Sequence, residues 1–322
     1  MSSGGEAWRP SASLERLTLR ATLLARTRAF FAARQLLEVD TPGLVNAAVT
    51  DVHIHSVTVD VGRPATLFLH TSPEYAMKRL LAAGSGDIYQ ICHVARGFEQ
   101  SRLHNTEFTL VEWYRLGFDL GRLMDEVEAL IRALCGAHPA LRRAAERLSY
   151  REVFLRHTGL DPFDCSIAQL LSVVAPLGYR DPAPRDELLD LIMGAIIGPA
   201  LGHEALTFIH GYPASQAALA RLDPHDPRTA QRFELYMGGV ELANGFHELA
   251  SADEQRTRFA QDLRERERRG LPVHSMDERL LAALAAGLPE CAGVAVGFDR
   301  VLMLAAGAAH IREVLPFPTE TA

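Results

Sequence analysis

The sequence predicts an α+β fold: a mostly antiparallel sheet flanked by helices, with a helical insertion. Three observations predict it. A long amphipathic helix opens the chain, short strand-like runs abut through tight turns on both sides of the middle, and a helical pattern fills residues 120–202 between them. Strands on either side of that insertion must share one sheet if their edges and apolar faces are to be covered. A tail at residues 1–12 is read as flexible, and one domain as running over 13–322. With 322 residues, 48% of them hydrophobic, the chain can fill a large core.

The opening helix is expected over residues 13–37, where Leu17, Ala21, Leu24 and Phe31, with Leu23, Phe30 and Leu37, recur at helical spacing among arginines. Pro42 forbids further helix and pushes Thr41 to extended geometry. Alternation predicts strands over 66–70, 88–95, 107–116, 206–212, 232–237, 240–246 and 293–298. Within 120–202, Met124, Val127, Leu130, Ile131 and Leu134 form one apolar helical face, and residues 188–197 hold another.

Composition narrows the function. With 33 basic against 40 acidic side chains, the net charge of -7 does not favour non-specific attraction to nucleic acid. No apolar run approaches the roughly 20 residues of a membrane span, and no signal peptide is evident, so a cytoplasmic protein is expected. Cys92, Cys135, Cys165 and Cys291 are too far apart for zinc-type pairing and read as reduced thiols. Lys78 is the sole lysine, which a bias towards arginine explains.

Three segments carry chemistry. In the run 232–248, Gly238-Gly239 forms a two-residue hairpin turn. If Met237 faces Val240, then Glu234 faces Ala243, and Glu241 shares that face. The two carboxylates become diagonal neighbours, about 7–8 Å apart at the backbone, and can share a divalent cation. Plain solvent exposure is the alternative. In the second segment, 89–114, Phe108, Leu110, Glu112 and Tyr114 share one strand face. A buried Glu112 needs a partner, either an ion pair with Arg96 or Arg102 or a ligand. In the third, 293–304, a Gly-punctuated strand enters a helix that Asp299 could cap. Arg300 then opposes the helix dipole, as expected of a group meant for an anion.

Together and in this order, the segments resemble the signature motifs of class II aminoacyl-tRNA synthetases, in the lysyl branch. The helix ending near Pro42 resembles motif 1, the dimer-forming element; Arg96 with the run 104–108 resembles motif 2; residues 293–300 resemble motif 3. The resemblance implies the class II catalytic core fold and a homodimer. Because the synthetase-like core is read as beginning almost at the first residue, the anticodon-binding barrel of lysyl-tRNA synthetases is expected to be missing. The chain is thus similar to the stand-alone EpmA (PoxA, GenX) family, whose members activate (R)-β-lysine and join it to a lysine of elongation factor P. The match includes residues 71–75, 112–114 and 241–248.

By that resemblance ATP and Mg2+ are the expected cofactors. It implies that Arg96 and Arg300 are the catalytic residues, holding charge on the phosphates. Gly97, Phe98, Glu99, His104 and Asn105 would belong to the nucleotide site, Phe108 would stack on adenine, and Glu241, Leu242 and Gly297 would complete that site. Glu234 and Glu241 match the family's magnesium-binding acids. The resemblance places Glu248 to accept the distal ammonium of lysine, with Tyr114 and Asn244 beside it and Glu74 near the other amino group. Ser72, Pro73 and Glu112 belong to the same implied pocket, and Ala295, where lysyl-tRNA synthetases carry Gly, points to β-lysine over α-lysine. No general base is needed, because the attacking carboxylate is already an anion.

The chain departs from the lysyl pattern at Phe98, His93, Ala95 and Thr106, which alters the motif 2 loop. Two alternatives accompany the ligase reading: a non-catalytic paralogue acting as a regulator, and a minimal tRNA-lysylating enzyme, which the negative charge disfavours. The near-absence of lysine has a second reading too, as protection from self-modification by a reactive adenylate.

Overall fold

The structure, a computed structural model, describes residues 8–62, 66–136, 138–181 and 183–322. The tail expected at 1–12 lies outside the described residues as far as Ala7; Ser11 N–H donates to Pro316 O at 2.8 Å and Ala12 is buried. Ser13 caps helix α1 (Leu14–Ala32) by accepting the Arg16 N–H. The helix stops short of Leu37 because Gln35 takes a φ of +62°, which turns the chain into strand β1 (Leu37–Glu38).

A small sheet comes next, made of β2 (Leu44–Val45), β3 (Thr58–Val59) and β4 (Leu67–Leu69). Helix α2 (Glu74–Ala82) leads into β5 (Ile88–Ala95) and β6 (Glu107–Leu116), whose bounds match the alternation. Then come α3 (Leu120–Cys135), β7 (Glu146–Ser149), α4 (Tyr150–Thr158), α5 (Ile167–Val174) and α6 (Arg185–Ile192). The chain returns through β8 (Thr207–Pro213), β9 (Thr229–Met237) and β10 (Val240–His247). It ends with α7 (Ala252–Arg268), α8 (Glu278–Gly287), β11 (Cys291–Gly297) and α9 (Phe298–Ala305).

The main sheet has the order β1-β5-β6-β11-β10-β9-β8-β7, with parallel pairs only at its two edges, β1 with β5 and β7 with β8. One face carries Trp113, Val111, Val294 and Leu235 into a core shared with α1, α3 and α9. The other face lines a large cavity. A second core gathers α4, α5 and α6 against Ile209 and Tyr236, and a third joins α2 to α8.

The stretch 120–202 differs from the wholly helical expectation in two ways. It contains β7, four residues long and with no buried position, so no alternation announces it. Its first helix, α3, packs Leu123, Val127 and Leu130 into the main core.

The hairpin register differs as well. Met237 does pair with Val240, and Gly238 and Gly239 both take positive φ, as the tight turn requires. A bulge between Glu241 and Ala243 then shifts the ladder, so Glu234 pairs with Asn244 and not with Ala243. Ala243 enters the core at 1% exposure. Glu234 and Glu241 still face the same way, because Glu241 pairs with Tyr236, two residues from Glu234.

Asp299 does not cap α9; Gly297 occupies that position. The Asp299 carboxylate is buried, pairs with Arg20 of α1 and accepts the Thr109 N–H of β6 at 2.7 Å. Arg20 also donates to Thr109 Oγ1 at 2.6 Å. One carboxylate thereby ties α1, β6 and α9 together and sets where Arg300, its neighbour, projects. Removing one partner of such a pair strands a buried charge. Asp299→Ala is expected to lower unfolding free energy by about 3 kcal/mol in urea titrations; a loss below about 0.5 kcal/mol, the scale of an ordinary surface substitution, would show the tie to be dispensable.

Candidate active site

A cavity of about 630 Å³ opens over the face of the main sheet opposite the α3 core. Beneath it runs a ladder across five strands, Gln90, Glu112, Ala295, Asn244 and Glu234, each the registered partner of the next, of which the middle three line the cavity. Side chains on one face of adjacent strands stand close enough to act together. The polar groups separate into an acidic end and a basic end.

At the acidic end Glu112 is 2% exposed and meets neither Arg96 nor Arg102. Ser72 Oγ and Tyr114 OH each donate to it at 2.7 Å, and Ser72 Oγ accepts the Glu74 N–H at 3.0 Å. One helical turn along α2, Lys78 reaches back: its Nζ donates to Glu74 Oε1 at 2.7 Å and forms an ion pair with Glu248 Oε2 at 2.5 Å. Burial lifts the Glu112 carboxyl above the ordinary carboxylate range, and Glu74 adds to the rise. Glu248 is raised by burial too, against the pull of Lys78. Burial alone would lower the Lys78 ammonium, but Glu248 and Glu74 outweigh it and hold the group charged.

Gly293 makes room for this arrangement. A Cβ there would fall 2.3 Å from the Tyr114 ring and 2.7 Å from Glu248 Oε1, so no other residue fits. Ala295, two residues on, lies in the floor between Glu112 and Asn244. Pro73 precedes α2 and also lines the cavity.

At the basic end Arg300 donates to Glu241 O at 2.8 Å and to His104 Nε2 at 2.6 Å, and stands 3.4 Å from Glu241 Oε2. A guanidinium can only donate, so His104 Nε2 is the acceptor and the ring proton sits on Nδ1, which reaches Ser101 Oγ at 2.7 Å. Burial first, then Arg300 and Arg96, pushes His104 down to about 4. Arg96 lies over the Phe108 ring, 5.2 Å from its centroid, with Nε donating to Thr71 O. Asn105 lines the cavity, yet its amide is committed to Glu107 O and Thr319 N–H. Glu99, Leu242 and Gly297 also line it.

Three expected site residues stand apart from the lining. Gly97 is tied by its N–H to His55 O at 2.7 Å. Phe98 takes a φ of +62°, is 91% exposed and meets the His55 ring edge-on. Glu234 lies behind Arg232 and Tyr236, which donate to its two oxygens at 2.6 and 2.7 Å. Among the described residues no group of three or more His, Cys, Asp or Glu is poised around a metal. Two acids suffice for magnesium when phosphates supply the other oxygens. Glu241 fits that use: its side chain is 40% exposed, and burial first, then the neighbouring Glu234, raises its carboxyl against the pull of Arg300, Arg232 and Arg96.

Sequence reasoning missed Lys78, Arg232 and the need for Gly293. The spacing held two signals: Lys78 follows Glu74 by one helical turn, and Arg232 precedes Glu234 by one strand repeat.

Comparison with known proteins extends over the whole site. Residues 7–321 match the family tRNA synthetases class II (D, K and N). Similar proteins include the elongation factor P–(R)-β-lysine ligase of Vibrio vulnificus (strain YJ016), 48% identical over 97% of this chain and 98% of its own length. Those of Vibrio cholerae (strain ATCC 39315) and Salmonella typhi are 48% and 47% identical, over 97% and 98% of this chain and of their own lengths.

The neutral His104 has a consequence for stability. Its folded value lies below that of an unfolded histidine, so the unfolded chain binds more protons between about 6.5 and 4. The stability His104 contributes is therefore complete above that window and lost as pH falls through it. In urea unfolding measured from pH 8 to 4, wild type should lose stability more steeply than His104→Gln; parallel profiles would contradict the assignment.

Proposed function

The chain belongs to the class II tRNA synthetases (D, K and N), and on that premise we propose that it is an ATP-dependent ligase that activates (R)-β-lysine and transfers it to a lysine side chain of elongation factor P. One observation carries the reading: a single cavity holds a buried acidic end, Glu74, Glu112 and Glu248, and a basic end, Arg96 and Arg300. A molecule that joins a diamine to a phosphate has that polarity.

In the first step the β-lysine carboxylate oxygen attacks the α-phosphorus of ATP, the bond to the β-phosphate oxygen breaks, and pyrophosphate leaves. Glu248 and the acids beside it hold the ammonium groups, leaving the carboxylate directed towards Arg96 and Arg300. These two guanidinium groups stabilise charge on the phosphoryl oxygens, and neutral His104 fixes the direction of Arg300. Phe108 offers a ring for adenine, backed by Arg96. Mg2+ would be held by Glu241, with Glu234 behind it, and would neutralise the leaving phosphates. In the second step the ε-amine of the acceptor lysine attacks the adenylate carbonyl; an amide forms, AMP leaves with the electron pair, and the amine gives up a proton.

The exposure of Phe98 outside the cavity removes the main reason to read the chain as a non-catalytic paralogue. The same reading includes a homodimer formed through α1, supported by the exposed Leu14 at its start and Trp8 in the segment before it. It also includes a cytoplasmic location, which suits four cysteines without disulfides. Among the described residues no helix is long and apolar enough to cross a membrane.

ATP–pyrophosphate exchange driven by (R)-β-lysine tests the activity, and no exchange with either lysine isomer by folded protein would reject it. Ala295→Gly removes one methyl from the cavity floor. It is expected to shift the kcat/KM ratio towards α-lysine by about tenfold or more; an unchanged ratio would free Ala295 from any part in selection.

A further inference from the structure

Lys78 is the only lysine in the chain, and it is 1% exposed in the acidic end of the cavity. A buried ammonium in an enzyme that takes a diamine competes for the acids meant for its substrate, unless the pocket needs it. We infer that Lys78 is a positioning residue for the amino acid substrate: it clamps Glu74 to Glu248 and sets the charge of the pocket to match two incoming ammonium groups. This role rests on the proposed ligase activity and adds a residue to it.

The geometry supports both parts. Lys78 Nζ contacts Glu74 Oε1 at 2.7 Å and Glu248 Oε2 at 2.5 Å, bridging α2 to the end of β10. Glu74 and Glu248 are thereby held in place before any substrate arrives, which lowers the cost of ordering them on binding. The second acid oxygen of Glu248 lies beside Gly293, where the missing side chain leaves it room.

The charge balance comes from the same residues. Three carboxyl groups, Glu74, Glu112 and Glu248, against one ammonium give the pocket at most two negative charges in excess, and incoming ammonium groups draw out that charge. A β-lysyl group carries two ammonium groups, and once its carboxylate is esterified to phosphate it carries no compensating negative charge of its own. The groups facing Lys78 are Glu74 on its own helix, Glu248 after β10, Glu112 on β6, to which Tyr114 donates, and Cys291 on β11. Helix α8 adds Leu280, Leu281 and Leu284, which bring no charge. Lys78 pulls the raised Glu112 and Glu248 carboxyls down, so without it three carboxyls would crowd a dry space and hold a proton to higher pH than they do beside the ammonium. Substrate binding would then have to expel that proton and would strengthen as pH rises.

The test combines kinetics with a spectroscopic readout that the single lysine makes possible. In Lys78→Met and Lys78→Gln, KM for (R)-β-lysine in pyrophosphate exchange should rise about tenfold or more, the equivalent of losing part of one buried charge contact. KM for ATP should stay within about twofold. KM for β-lysine should fall with rising pH in both variants more steeply than in wild type. Protein labelled with 15N-lysine should give one side-chain ammonium signal. That signal is expected to persist past the pH near 10.4 at which a free lysine titrates, and to move on saturation with (R)-β-lysine.

Exchange activity in wild type, together with a β-lysine KM within twofold of wild type in either folded variant, overturns the role of Lys78 and leaves the ligase reading standing. If neither variant folds, the wild-type signal decides: an ammonium that titrates near 10.4, or ignores β-lysine while exchange proceeds, overturns it equally. Absence of exchange in wild type overturns the ligase reading and the role of Lys78 together.

Discussion

Glu241 and Glu248 are seven residues apart on one strand and its continuation, and an odd separation puts side chains on opposite faces of a regular strand. The site needs both on one face. The bulge between Glu241 and Ala243 supplies the extra residue that reconciles them. Before the bulge, Glu241 faces the cavity; after it, Asn244, Phe246 and Glu248 do, while Ala243 joins the core. The phosphate end and the amino acid end of one cavity thus depend on a local irregularity in a single ladder.

Around that strand, buried charges act as fasteners. Asp299 joins α1, β6 and α9, and so converts three distant parts of the chain into one support for Arg300. Arg232 spans Asn244 Oδ1, Glu234 and Gln216 O, binding β9 to β10 on the cavity side of the sheet. Lys78 does the same between α2 and the end of β10. Each is a cation or anion whose desolvation is tolerable only because it has several partners, and each keeps a side chain of the cavity in one orientation. The result is a site largely formed before a ligand enters.

Much of this is legible in the sequence, and the exceptions have physical causes. Strands 88–95 and 107–116 are covered on both faces, by core on one side and cavity on the other, so their β-branched, aromatic and apolar runs give β5 and β6 their actual bounds. The motif residues Arg96, His104, Glu112, Glu241, Glu248 and Arg300 do meet in one cavity. Strand β7 is invisible, since four residues without a buried position leave no pattern. The bulge is invisible because a regular ladder is the only register that counting from a turn can yield. Asp299 looks like a cap because of its place at a helix start, whereas its real partners lie 190 and 279 positions away. Lys78 looks like a compositional oddity, since nothing local reveals that Glu248 will arrive beside it.

In the proposed ligase one sheet face carries a diamine pocket and a phosphate clamp at a separation an aminoacyl-adenylate can span. A crystal structure with a non-hydrolysable sulfamoyl analogue of β-lysyl adenylate measures this directly. The terminal ammonium is expected at Glu248, the second ammonium between Glu74 and Glu112, the sulfamoyl group between Arg96 and Arg300, and adenine against Phe108. An analogue bound with its lysyl chain away from Glu74, Glu112 and Glu248, or outside the cavity altogether, would contradict it.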